Sequence, residues 1–525
     1  MGSSLERQEV INTPEAKGMR LEASARGMGV NLGQVPPRRR PATPPRRVWH
    51  AGWDDRSRYE ARKAESLRAP LATQAAARAQ IDPQLTEAEE FDSGLRLPMY
   101  FSGFDSPEWA SPELQIAAGP RHLLVTVNQE LAVFDKTGCR LCRCDLGSLF
   151  APLVGNARIS TPRVIYDQFQ ESWLLAACAR DEEARKSWFL LATSQGRNPQ
   201  GDWWTWALDV RQDGDLQAGR VADWLGLSVD HNSVYLTANL FAGNGQFLHS
   251  KLRILNKKEL EAGSVLHGWD FWDLRNADGS PSFSIQPALN LRAAGVQYLL
   301  NATQDGQGLT LWSISQTPRQ PPKLSRRFVP TVPCQVPPQA RQPMSQVRLD
   351  TGDARLGNVV FRHGQLYTAR TIAANWGGGE NVAAIQWFQL NPRAGCILQQ
   401  GIYGAPEHHY FAPAVMVDGE GNLAMVFNRT GETEPPSIRF TGRWASEEPD
   451  RLRASELLHR GAPSGEADWS AFCGAGISPQ DPEIWILGQY APTEADWATW
   501  IGAVSLASPE EEALPLFRQQ GALAG

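Results

Sequence analysis

The sequence predicts an all-β fold, a single β-propeller of four-stranded blades over residues 93–525. Residues 1–92 are expected to form a mostly disordered basic arm ahead of it. Three observations lead there. A hairpin pattern, two short apolar strands about a tight polar turn, occurs seven times between residues 116 and 489. A third strand-like run, and in most units a fourth, follows each hairpin. The 46 Gly and 37 Pro punctuate short runs of Val, Ile, Leu, Trp and Tyr, as a chain of many turns requires.

The arm comes first and differs from all that follows. It has few aromatics, many Arg, Ala, Pro and Gln, and no alternation of period two. VPPRRRPATPPRR (35–47) is basic and Pro-rich, which favours extended polyproline II backbone over a packed core. A helix is expected over about 55–69, where acidic residues come early, good helix formers follow and Pro70 ends the run. Two readings of the arm stay open. It is either a solvated tail or a segment that orders on a protein partner or larger assembly, with Trp49 and Trp53 as apolar anchors.

The seven hairpins are IAAGPRHLLVTVN (116–128), VIYDQFQESWLLAACAR (164–180), LSVDHNSVYLTANL (227–240), LNLRAAGVQYLLNA (289–302), VVFRHGQLYTAR (359–370), VMVDGEGNLAMVFN (415–428) and GISPQDPEIWILGQ (476–489). In the third of them Asp230, His231, Asn232 and Ser233 fill the turn, because their side chains satisfy local backbone groups. Third strands are expected at 131–136, 187–194, 250–257, 309–315, 382–390, 437–443 and 499–506. Fourth strands are expected at 140–146, 203–210, 264–272, 324–332, 396–403, 455–460 and 515–520.

The second-strand ends recur at a mean spacing of about 60 residues, longer than familiar propeller repeats, with the excess in loops such as 318–323 and 335–347. A closed ring removes sheet edges that a stacked solenoid would leave open. Seven blades is the count, or six if one unit is an insertion. Trp-Asp occurs only at Trp53-Asp54 and Trp269-Asp270, so the repeat is not of the WD40 type. Closure has two candidates, 515–520 from the last unit itself or 96–103 from ahead of the first.

Composition excludes some functions. A chain with 42% hydrophobic and 21% charged residues and a net charge of −6 is not that of a nucleic-acid binder as a whole. No run approaches the roughly 18 apolar residues of a transmembrane helix. The opening residues carry no apolar run after their charges and so do not read as a secretory signal, and Glu6 stands where a myristoylation motif wants Ser or Thr. Seven Cys leave at least one unpaired within the chain, and Cys139, Cys142 and Cys144 in CRLCRC lack a nearby fourth ligand. No metal and no cofactor is expected.

HLLVTVNQELAVFDKTG (122–138), PRVIYDQFQESW (162–173), SWFLLATS (187–194), DWLGLSVDHNSVYLTANLF (223–241) and KLRILNK (251–257) together resemble a group of uncharacterised bacterial β-propeller proteins. The resemblance runs over roughly 112–290, with a weaker echo over 468–502. Those proteins usually carry secretion signals, so the resemblance implies the fold and an envelope or extracellular setting. It implies no catalytic residues.

In a propeller, equivalent positions gather on one face around the axis. The second-strand ends Asn128, Arg180, Asn239, Asn301, Arg370, Asn428 and Gln489 would then form a polar ring suited to an anionic or hydroxyl-rich ligand. The alternative is that strand ends are polar because backbone groups there need partners. A sialidase-type site would need several arginines on one carboxylate, for which Arg163, Arg370, Arg439 and Arg443 are candidates, with Asp167, Asp230, Tyr166 and Tyr410 available for the displacement. The turn motif Ser-x-Asp-x-Gly-x-x-Trp of that family is only approached. SVDHNSVY (228–235) has Asn for Gly and Tyr for Trp, and SPQDPEIW (478–485) has its Asp one position late.

DGEGN (418–422) and QDGQG (304–308) look like fragments of calcium loops but lack a closing bidentate carboxylate, and read more simply as hairpin turns. His408 and His409 are read as a loop pair. Trp203 lies opposite Trp204 and Trp206 by strand alternation and is expected to be exposed for stacking. No nucleophile is paired with a base, so no catalytic residue is assigned. The expected role is a non-catalytic binding or scaffold propeller that engages a protein or glycan through one face, with a carbohydrate-binding or sialidase-like envelope protein as the alternative.

Overall fold

Each second strand of the repeat is apolar on both faces, and WLLAACA (173–179) has every residue 2% exposed or less. A strand buried on both sides needs a sheet packed against each face, and the architecture supplies it. In the computed structural model, residues 10–13, 16–22, 26–37, 56–71, 78–86, 93–105 and 112–506 are described, apart from 215, 218, 318–319, 378, 471 and 480–481. They form seven antiparallel four-stranded blades whose first strands face one axis.

Blade 1 is Leu114–Ala118, His122–Val127, Glu130–Asp135 and Arg140–Asp145. Blade 2 is Arg158–Asp167, Ser172–Asp181, Lys186–Ser194 and Asp202–Asp209. Blade 3 is Arg220–Val229, Ser233–Ala242, Phe247–Asn256 and His267–Trp272. Blade 4 is Gln286–Pro287, Val296–Ala302, Gly308–Thr317 and Gln320–Pro330. Blade 5 is Val359–Arg362, Gln365–Ala374, Val382–Asn391 and Cys396–Gly404. Blade 6 is His408–Val417, Leu423–Gly431, Ser437–Arg443 and Glu456–Arg460. Blade 7 is Gly474–Ile477, Ile484–Thr493, Asp496–Ser505 and, from the other end of the chain, Arg96–Asp105.

That last pairing, Ile501 with Phe101 and Gly502 with Tyr100, closes the ring. Of the two sequence candidates for the final outer strand, 96–103 takes the place, and 515–520 lies outside the described residues. The interval 318–323, expected as loop, is strand from Gln320 onward, and 335–347 holds the start of a small hairpin, Ala340–Gln342 with Ser345–Leu349. Blade 4 has the weakest first strand. Gln286–Pro287 pairs within the blade, whereas Leu289–Asn290 crosses to pair in parallel with Val360 and Phe361 of blade 5.

The core lies between blades rather than within one. Leu124 and Val133 of blade 1 meet Trp173 and Ala177 of blade 2, and Leu174 and Phe189 of blade 2 meet Leu227 and Leu236 of blade 3. Trp485 and Ile501 of blade 7 meet Ile116 and Val125 of blade 1, completing the circle.

Described parts of the arm lie along the outer edges of blades. Ala16–Glu22 extends blade 3 with Val10–Thr13 beyond it, Met28–Asn31 extends blade 2, and Ala79–Ile81 runs parallel to the outer strand of blade 5. Backbone pairing at an edge asks little of side chains, and it blunts edges that would otherwise invite aggregation. Helix α1, Arg56–Ser66, occupies the region expected to be helical. Its Tyr59 and Lys63 are buried, and Asn381 Nδ2 of blade 5 donates to Ser66 O and Ala69 O at its end. Among the described residues no helix is long and apolar enough to cross a membrane.

Candidate functional site

First strands begin, and second strands end, on the same face of the ring, so the loops between blades also lie there. Three first strands bulge as they enter. The register shifts between Ser160 and Arg163, Asp223 and Gly226, and Phe411 and Ala414. The residues inside these bulges, Thr161 (φ 48°), Trp224 (φ 61°) and Ala412 (φ 58°), are left-handed. A bulge re-aims side chains and turns backbone groups out of the ladder, which makes this rim the chemically varied face.

The predicted polar ring exists as positions, but its side chains face inward. Asn239 Nδ2 donates to Ser284 Oγ (3.0 Å) and its Oδ1 accepts from Ser284 N (2.8 Å). Asn301 Nδ2 donates to Asn276 Oδ1 (2.9 Å), and Trp312 Nε1 donates to Asn301 Oδ1 (2.8 Å). Asn428 Nδ2 donates to Gln489 O (2.8 Å), and the Gln489 amide oxygen accepts from Ser470 N (2.8 Å). Asn128 Oδ1 accepts from Glu113 N (2.8 Å), and Arg370 Nε donates to Gln386 Oε1 (2.9 Å) over the Phe388 ring. These six are buried, and they tie second strands to neighbouring loops and strands. Arg180 alone reaches the surface, 3.1 Å from Glu182. The correction has a simple cause: loop backbone at the bulged rim needs buried partners, and amides supply them.

The four candidate arginines do not share a partner. Arg163 Nε donates to Leu225 O (2.8 Å), Arg439 Nε to Glu434 Oε1 (2.9 Å), and Arg443 Nη2 to Glu447 O (3.0 Å), while Arg370 holds Gln386. Asp167 is buried against Lys257 Nζ (2.5 Å), Asp230 accepts from Tyr235 OH (2.6 Å), and Tyr410 OH donates to Asp82 (2.9 Å). His408 and His409 lie on a strand rather than a loop. Burial, reinforced by Arg341 and Arg348, pushes the His409 imidazole down to about 3, and its Nδ1 accepts from Ala383 N (3.1 Å). Trp203, expected to be exposed, is fully buried with Nε1 donating to Pro199 O (2.8 Å). Asp418 and Asp305 accept from turn amides, as hairpin turns do. Trp49 and Trp53 lie outside the described residues.

The axis itself is a narrow channel of about 80 Å³, with Gln115, Arg163, Tyr166, Gln286 and Asn358 as its polar lining. The Tyr166 hydroxyl and Gln286 Nε2 have no partner among the described residues, and burial raises the Tyr166 phenol to about 12. Side chains that sequence reasoning missed cluster at the rim where the first strands enter. Trp224 of blade 3 meets Phe472, just ahead of blade 7, edge-on at 5.6 Å. Arg355, ahead of blade 5, lies 4.0 Å over Trp224 and 4.9 Å from the Phe283 ring, with Nε on Asp353 Oδ1 (2.6 Å). Gly357 is required here, since a Cβ would stand 2.5 Å from Phe472.

Helix α1 docks beside this cluster. Tyr59 OH donates to Asp350 Oδ1 (2.9 Å), and Lys63 Nζ to Thr351 Oγ1 (2.9 Å). Burial lowers the Lys63 ammonium, and Lys63 in turn holds the Asp350 carboxyl below its usual range against the burial that raises it. This cluster offers cation–π and stacking contacts, and among the described residues no nucleophile is set against a base.

No family model and no curated protein matches the chain. Among solved structures it is similar in fold to an α-L-arabinanase from Penicillium chrysogenum complexed with arabinobiose, at 10% identity over 78% of this chain and 99% of that one, TM-score 0.39. It is also similar to the Dos1 propeller, at 10% identity over 76% and 79%, TM-score 0.38. A third similarity is to Trypanosoma rangeli sialidase in complex with the inhibitor DANA, at 9% identity and TM-score 0.33, where the match covers 66% of this chain and 54% of the sialidase.

Proposed function

We propose that this chain is a non-catalytic binding propeller, in which residues 93–525 present one face to a protein or glycan partner and residues 1–92 contact a larger assembly. The carrying observation is the narrowness of the axis. Small-molecule pockets run to roughly 300 Å³ or more, whereas the axial channel holds about 80 Å³. The separate partners of Arg163, Arg370, Arg439 and Arg443 support the same reading, because a carboxylate clamp needs converging guanidinium groups. The basic run 35–47, with Trp49 and Trp53, is the part assigned to the assembly contact. The sequence resemblance to bacterial propeller proteins that usually carry secretion signals supports a partner in the envelope or outside the cell, and the cytoplasm is the default where the opening residues do not read as a secretory signal.

Glycan cleavage is the second reading, favoured by one observation: the Tyr166 hydroxyl, without a partner among the described residues, lines the same channel as Arg163. Turnover by the full chain decides between them. Incubation with aryl sialosides and aryl arabinosides is expected to release no aryl alcohol above the blank. Release that disappears in Tyr166→Phe would install the second reading.

A further inference from the structure

A second space on the same face is of ligand size. Between blades 2 and 3 lies a cleft of about 740 Å³, bounded by the turn 182–185 of blade 2, the entry strand of blade 3 and the turn 243–246. Its cations are Arg180, Arg185, Lys186 and Arg220, and its acids are Asp181 and Glu182. The acids are engaged locally. Asp181 Oδ1 accepts from Ala184 N (2.9 Å), and Glu182 pairs with Arg180 at 3.1 Å. Arg220 is held from below by the buried Asp213, which also takes Lys251 (3.0 Å). Arg185 and Lys186 are exposed and have no acidic partner among the described residues. Arg185 sits at φ 51°, a left-handed position that is uncommon for a side chain of its size.

The opposite wall is backbone. Gly219, Gly243 and Gly245 line the cleft, and a Cβ built at any of them meets nothing within 4 Å. Among the described residues no aromatic ring lines the space, so none of them offers a surface on which a nucleobase or aryl group would stack.

We infer that this inter-blade cleft binds an acidic oligosaccharide, one bearing carboxylates or sulfates, with Arg185 and Lys186 on the charged groups and the glycine wall admitting the sugar backbone. The inference rests on the binding reading above and gives it a site and a ligand class. Charge-assisted hydrogen bonds from exposed cations suit spaced anions, and a preformed cleft of this size fits about two or three sugar rings.

The test is calorimetric titration of the full chain with a heparin-derived hexasaccharide, and with a neutral hexasaccharide for comparison. The sulfated ligand is expected to bind at least tenfold more tightly than the neutral one. Arg185→Glu with Lys186→Glu is expected to weaken it at least tenfold. Gly243→Trp, which fills open space and keeps every charge, is expected to weaken it comparably without lowering Tm. The basic run 35–47 is the competing site for a sulfated chain. Binding that survives both changes to the cleft, or no binding to the wild-type chain, overturns the inference and leaves the binding reading standing. Hydrolysis of the ligand would instead overturn that reading while leaving the cleft assignment to the variants.

Discussion

Between blades 5 and 6 the donors that point into the seam meet a carboxylate supplied by the arm. Asp82 is wholly buried, accepts from Tyr410 OH (2.9 Å), Arg429 Nη1 (3.2 Å) and Ser455 N (3.0 Å), and its own amide donates to Gly404 O (2.8 Å). Between blades 2 and 3 Arg185 and Lys186 meet open space, while Arg180 and Arg220 are paired with Glu182 and Asp213. In the first seam the donors come from blade 6, with Arg429 the one cation among them, whereas the cations of the second come from both of its blades; the seams differ too in whether the chain fills them. The difference teaches that a ring of equivalent blades need not have equivalent seams. An anion locks one of them, and the other leaves two cations without an acidic partner among the described residues.

Three measurements bear on that contrast. The largest effect is expected from Asp82→Ala, which leaves the Arg429 guanidinium buried with only Glu434 (2.6 Å) to neutralise it. Breaking such a pair costs about 3 kcal/mol, the low end for buried ion pairs, and a Tm within a degree of wild type would mean the seam is not locked by charge. Next comes the pH response of the same seam. An unfolded His409 takes a proton below its ordinary 6.5, whereas the folded one, desolvated, refuses it until about 3. Its contribution is therefore full above 6.5 and is lost as pH falls from 6.5 towards 3, at about 1.4 kcal/mol per pH unit. Urea unfolding at several pH values is expected to show a slope shallower by about one proton in His409→Gln, and equal slopes would remove His409 from the account. The smallest effect belongs to the axis. Tyr166→Phe removes a hydroxyl that has no partner among the described residues, so stability should change by less than about 0.5 kcal/mol. A larger loss would reveal a hydrogen bond in the channel that sets it beside the locked seam.

The blades were legible because a strand buried on both faces leaves a mark. Runs such as LLAACA (174–179) and LAMVF (423–427) carry no polar alternation, and the turns between them are rich in Asp, Asn and Gly. The edge strands at 16–22 and 79–81 were not legible, since they pair through backbone and AKGMRLE needs no apolar stripe to do so. At the site the positions were legible and the directions were not. An asparagine at a strand end serves a ligand or a loop equally well, and only the bulged backbone, which brings Ser284 N to Asn239, decides it. Trp224 and Arg355 gave no signal, because a left-handed bulge and a contact across the axis are set by the tertiary fold. The glycines at 219, 243 and 245 were visible as residues, but the emptiness beside them was not.

The clasp that fastens blade 7 joins Arg96–Asp105 to Asp496–Ser505, segments separated by roughly 400 residues, a contact of very high sequence separation. During synthesis the earlier strand emerges long before its mate and waits as a bare edge while six blades assemble. Circularity thus cannot be reached before the last blade is made, and any chaperone demand is expected to concentrate on that interval. Moving the clasp strand to follow residue 506 by circular permutation would make closure local and shorten the wait.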